Sequence, residues 1–158
     1  MYYRFISAFC IAFFIAINSI AAVNGQSTDS LLYLLNHNLV KDDVNKYRLL
    51  CEIASNSANA DTILKYSEQA IKLAGKLNMN PAQAIVLKGI GYLNSGVLAT
   101  ALESFMKAAD YYKADNSNTR LAAVYLNIAE AYIQQENYDN AKYYLKNAHS
   151  QTTANRTN

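Results

Sequence analysis

Proline is almost missing from this chain, and the single one, Pro81, stands between two apolar periodic segments rather than inside either. A proline inside a helix would remove a hydrogen bond and clash with the preceding turn; at the first turn it costs nothing, so Pro81 is predicted to open a helix. No alternating apolar and polar run of the kind that lines a half-buried strand occurs past the N-terminus, which leaves an all-α chain. Glycine is scarce too, and none of the five forms a glycine-rich loop after a strand, so a phosphate cradle is excluded. Histidine occurs only at His37 and His149, separated by most of the chain, and no helix has paired His or His-Glu spacing. Metal binding therefore lacks a ligand pattern, and although Ser, His and Asp occur, nothing in the sequence places them together as a triad. Glu103, Glu130 and Glu136 are scattered carboxylates of helix surfaces. No catalytic, cofactor-binding or metal-binding residue is expected. Basic clusters are also lacking, so nothing could neutralise successive phosphates of a nucleic acid.

The opening stretch, MYYRFISAFCIAFFIAINSIAAVNG, is of another kind. Arg4 supplies a positive start, an apolar run extends from Phe5 to Ile17, and small residues follow. This predicts a secretory signal peptide over 1–25, cut after Gly25, and a protein that works outside the cytoplasm, periplasmic or secreted. The other reading is an uncleaved anchor over residues 5–23, just long enough to cross a bilayer. Removing Arg4 with the signal leaves thirteen basic against twelve acidic residues, a net charge near zero. Cys51 would then be the lone cysteine, without a disulfide partner, on an apolar helical stripe where a small buried side chain is expected.

Helical spacing governs what remains. Ser27, Thr28 or Asp29 can cap a short helix carrying Leu31, Leu32, Leu34 and Leu35, so that 26–42 forms a capping helix and linker. It is read as a lid over the first repeat, or else as half of an earlier hairpin. Asp42 and Asp43 suit the positive end of the next helix, through Tyr47, Leu50, Cys51 and Ala54. Asp61 is the N-cap candidate for its partner, with Ile63, Tyr66, Ser67, Ala70 and Ala74. A third helix carries Ile85, Gly89 and Tyr92; a fourth, Ala101, Phe105, Ala108 and Tyr112. The stretch AAVYLNIAEAYIQQENYDNAKYYLKNAH, from Ala122 to His149, is a complete helical hairpin, with Gln134 to Asn137 as its turn.

These hairpins repeat. The steps from Cys51 to Gly89 and from Gly89 to Ala129 equal those from Ala70 to Ala108 and from Ala108 to Ala148, so two separate anchors keep one register. A period of roughly 40 residues indicates a solenoid of helical hairpins. The residues at these places resemble the tetratricopeptide repeat. In the third unit Tyr125, Asn127, Ile128, Ala129, Tyr132, Tyr138, Ala141, Leu145 and Ala148 fall on that family's aromatic and small-residue positions. Gly89, Tyr92, Gly96, Ala101, Phe105 and Ala108 do so in the second. In the first, Cys51 and Ala70 fit, while Ala54, Ile63 and Ser67 depart from the pattern. The period is longer than the family's usual one of about 34 residues. The proline that closes the family's unit is missing. This longer form resembles the sensor regions ahead of the membrane helix in histidine kinases and regulators of Bacteroidetes-like bacteria. The resemblance implies a right-handed all-α solenoid over 43–150, with repeats at about 44–77, 82–115 and 120–150, and a polar tail at 151–158.

It also implies a concave groove lined by the first helix of each repeat. Carried onto this chain, the groove positions are Asn45, Arg48, Glu52 and Ser55, then Gln83, Val86, Ile90 and Leu93, then Ala123, Leu126, Asn127, Glu130 and Ile133. The family's function, capture of a protein or peptide, is the expectation, or ligand sensing as the input region of a membrane-bound sensor kinase or regulator. Tyr92, Tyr125, Tyr132 and Tyr138 are expected in the core, with one member each of Tyr111-Tyr112 and Tyr143-Tyr144 outside the register. The short tail after His149 looks helix-poor and unable to cap the last hairpin, so self-association or partner capture through that end is expected, or else the chain is the front part of a longer sensor.

Overall fold

The computed structural model describes residues 27–154, the side chain of Ala154 excepted; the expected signal segment lies outside the described residues. Those residues form seven α-helices and no strand: α1 Thr28–Asn36, α2 Asp43–Asn56, α3 Ala60–Lys76, α4 Ala82–Asn94, α5 Leu98–Ala114, α6 Asn118–Gln134 and α7 Tyr138–Ala154. The expected all-α class is therefore observed.

Local chemistry sets the helix starts. Ser27, Asp42 and Asn59 each sit in extended backbone and accept an amide hydrogen bond from three residues on, as capping side chains do. At α3 the cap is Asn59, not Asp61, which lies in the first turn where its charge meets the helix dipole. Pro81 immediately precedes α4, and the Ala82 amide donates to Asn80 Oδ1 at 2.8 Å.

The ends follow a single plan. Asn38, Asn78 and Asn116 close α1, α3 and α5 in the left-handed region, at φ 50°, 52° and 53°. At each, the following residue's amide reaches back five residues, as Leu39 does to the Leu34 carbonyl at 3.1 Å, so the last turn's carbonyls are satisfied. Because α1 ends as α3 and α5 do, and Thr28 Oγ1 donates to the Asn56 carbonyl at the far end of α2, α1 is built like the second helix of an earlier hairpin.

Short connections make successive helices antiparallel, and each packs on the next. Beyond these pairs, α2 touches α4, and α4 touches α6. One core cluster joins α1 to α4 around Leu31, Leu50, Cys51, Ile53 and Ala70; a second joins α4 to α6 around Ile85, Phe105, Tyr112, Val124 and Ile128. Ile71 and Ile90 touch both, so the apolar interior is continuous.

One expectation at the C-terminal end is overturned. The helix does not stop near His149 but continues through Ser150–Ala154, where the hydroxyls of Ser150, Thr152 and Thr153 bond back to carbonyls of the preceding turn. The outward face of α7 is mixed in character. Lys142, Leu145, His149 and Thr152 stand where α5 has Leu102, Phe105, Ala109 and Tyr112; the α5 set is buried and the α7 set exposed. Leu145 and, one turn before Lys142, Tyr138 are exposed on this face beside the polar Lys142, His149 and Thr152. Tyr138, expected in the core, is 66% exposed at the start of α7.

Candidate functional site

The helices that touch in alternate order, α2, α4 and α6, present a shared face. Along α6, Ala123, Leu126, Glu130 and Ile133 follow one another at helical spacing, and all four are exposed. Leu126 is 51% and Ile133 42% exposed, unusually open for aliphatic side chains on a helix otherwise packed into the core. Val86 and Ile90, on neighbouring α4, are half-buried against the same core.

A cleft of about 280 Å³ opens on this face between α4, the end of α5 and the start of α6. It brings together three of the groove positions expected from sequence, Gln83, Val86 and Ala123, with Leu87 and Val124 as apolar floor. It also includes two residues that the repeat register does not assign to the groove, Tyr112 and Arg120. The Arg120 guanidinium lies 5.9 Å from the centre of the Tyr112 ring, within cation–π range. Burial pushes the Tyr112 phenol above its ordinary pKa, and the Arg120 charge partly opposes that shift. The phenol is thus a neutral hydroxyl at physiological pH. Arg120 stands one turn before Ala123 on α6, the sequence signal that could have found it.

Polar groups mark one side. Asn45 and Arg48 are exposed on α2, where Arg48 Nη1 donates to Asn45 Oδ1 at 3.5 Å. Half-buried Glu52 accepts at its carbonyl from exposed Ser55 Oγ at 3.0 Å. On α6, Gln134 Nε2 donates to Glu130 Oε1 at 3.3 Å, and Asn127 is half-buried. Among the described residues the ion pairs are Lys88–Glu68 at 3.1 Å and Lys113–Asp110 at 3.2 Å, so neither Arg48 nor Arg120 is held by a carboxylate there.

Leu93 departs from its expected place. It is only 8% exposed, because it sits in the last turn of α4, where the chain reverses at Gly96, and packs into the second core cluster. The α2 residues Asn45, Arg48 and Glu52 do not line the cleft either; they form a separate polar patch. Cys51 is buried beneath α2, and desolvation raises its thiol to about 11, so it stays protonated at neutral pH. Among the described residues no three His, Cys, Asp or Glu side chains are grouped to hold a metal ion, and no helix is long and apolar enough to cross a membrane.

No protein-family model, curated protein or solved structure matches this chain.

Proposed function

We propose that the chain is an exported, non-catalytic binding module of tetratricopeptide type, a right-handed solenoid whose α2, α4 and α6 line a groove for a segment of another polypeptide. The observation that carries this reading is the open apolar stripe of α6, Leu126 and Ile133, running on from the cleft at Gln83, Val86, Ala123 and Arg120. An apolar anchor of a helical or extended peptide gains by covering that stripe, and Arg120 and Gln83 at its end offer donors to backbone carbonyls or to an acidic side chain. The order of helix contacts, each with the next and first helices with each other, is what a stack of hairpins requires. Recurring Cys51, Gly89 and Ala129, all buried, support the same stack.

The test uses the full chain as immobilised bait in an extract of the native envelope, beside a variant carrying Leu126→Asp and Ile133→Asp. Both positions are exposed, so the variant keeps its helicity. A polypeptide retained by the parent and lost by the variant supports the groove. Equal retention by both, or retention of no polypeptide, overturns it.

A further inference from the structure

On another face of the molecule, a cleft of about 310 Å³ lies between α5 and α7 with α6 as its floor. One side is made by the rings of Tyr125, Tyr143 and Tyr144, the other by Met106, Asp110 and Lys113. Tyr143 meets Tyr144 edge-on, with ring centres 5.2 Å apart and planes at 88°, and Tyr144 lies 5.7 Å from both Tyr125 and Tyr132. The rings thus form a fixed corner, with Tyr143 59% exposed.

The repeat supplies an internal comparison. One unit earlier, between α3 and α5 over α4, the same packing leaves a cleft of about 220 Å³. There Ile85, Glu103 and Ser104 hold the places of Tyr125, Tyr143 and Tyr144. Packing of the hairpins is satisfied by Glu and Ser at those two α5 positions, so the exposed ring of Tyr143 exceeds what the stack needs, while Tyr144 also packs against Tyr125 and Tyr132. The polar complement differs too. The earlier cleft includes Lys107, Glu103 and Lys88, the last paired with Glu68 at 3.1 Å, whereas in the later one Asp110 and Lys113 pair with each other at 3.2 Å and Asn147 adds an uncharged amide.

These walls discriminate between ligand classes. An anion meets Asp110 and a cation meets Lys113, while a purely apolar group would leave the Asn147 amide and the exposed Asp110–Lys113 pair unused. A peptide offers acceptors to Lys113 and Asn147 but only one backbone donor per residue for Asp110 and the phenol oxygens, and a flat face for the rings only where it carries proline or an aromatic side chain. A ring with C–H groups on its face and hydroxyls at its edge satisfies all of them, since each hydroxyl both donates and accepts. We propose that this tyrosine-walled cleft of the third hairpin binds one or two rings of a neutral glycan, stacked on Tyr143 and Tyr144 and hydrogen-bonded by Asp110, Lys113 and Asn147.

The chain contains no tryptophan, so its ultraviolet fluorescence comes from its thirteen tyrosines, and the part that changes on binding in the parent but not in the Tyr143 variant belongs to the cluster. The full chain is titrated with maltohexaose, cellohexaose and chitohexaose, and with decaproline as a peptide that also favours aromatic grooves. Saturation by at least one of the oligosaccharides is expected, with affinity weakened about tenfold or more by Tyr143→Glu. Adding Tyr144→Ser, which completes the residues of the earlier unit, abolishes it while circular dichroism shows the helices intact. Should the double variant lose its helices, Tyr143→Glu decides alone, because that ring is exposed. No saturation by any of the three sugars, undiminished binding by Tyr143→Glu, or saturation by decaproline alone overturns the proposal.

Discussion

Gly89 on α4 lies directly against the ring of Phe105 on α5: a Cβ built at Gly89 would stand 2.5 Å from Phe105 Cε1. The ring is fully buried. One unit earlier the corresponding pair is Cys51 and Ser67, both buried, with the larger group on the first helix and the smaller on the second. Side-chain volume is exchanged across the helix pair. Gly89→Ala is therefore expected to destabilise, because overpacking by about 1–3 kcal/mol outweighs the roughly 1 kcal/mol that alanine gains in a helix interior. Urea denaturation of Gly89→Ala in the parent and in a Phe105→Leu background checks this. The alanine should cost less in the second background, and an equal cost in both would show that the ring is not the obstacle.

Glu136 ends α6 at φ 57°, in the left-handed region, where Gly96 ends α4 at φ 73°. A side chain in this conformation is strained, whereas glycine is not. Glu136→Gly should raise stability by about 0.5–1 kcal/mol, and Gly96→Ala should lower it by a similar amount. No Cβ contact lies within 4 Å at Gly96, so its loss would be purely conformational. Paired thermal melts settle the sign of each, and a lower melting temperature for Glu136→Gly would count against the turn as described.

Much of this architecture is legible in sequence because it rests on local rules. Helices α2 to α7 follow from apolar spacing, and Cys51, Gly89 and Ala129 keep their register because only small side chains let the paired helices approach. The groove is less legible. Val86, Gln83 and Ala123 meet in one cleft as the register implies, but Leu93 does not reach the surface, since helix spacing cannot show that the reversal at Gly96 covers it. Arg120 and Tyr112 enter the cleft from helix ends, which a register drawn on helix centres passes over. Asn38, Asn78 and Asn116, which recur at nearly the period of the hairpins, carried the relation of α1 to the later units as plainly as any apolar residue did.

Alkaline pH should unfold the protein earlier than its carboxylates or net charge would suggest. Cys51 is buried, and its thiol ionises at about 11 in the folded chain against a usual value of 9.0, because desolvation penalises the thiolate. The folded state therefore binds the proton more tightly than the unfolded state, so stability is complete below pH 9 and is lost as pH rises from 9 to 11. The shift is worth about 2–3 kcal/mol at most. Tyr47 and Tyr112, also raised by burial, extend the decline upward in the same direction. Urea midpoints across this range should fall, and Cys51→Ala should flatten the portion nearest pH 9. A parent midpoint that holds constant to pH 11 would rule out this linkage.

On α7 the exposed Lys142, His149 and Thr152 stand at the places of buried Leu102, Ala109 and Tyr112 of α5. Charged and hydroxyl groups there would lose water without partners if another helix covered them. Restoring the α5 residues reverses that condition: Lys142→Leu, His149→Ala and Thr152→Tyr, with Leu145 already apolar, give α7 a continuous apolar strip. The triple variant should associate through this strip at concentrations where the parent sediments as a monomer, as sedimentation velocity would show. Its helicity should not fall, since all three side chains are exposed in the parent. A parent that already dimerises, with the dimer dissolved by Leu145→Lys, would instead mean that this one exposed leucine overcomes the polar groups around it.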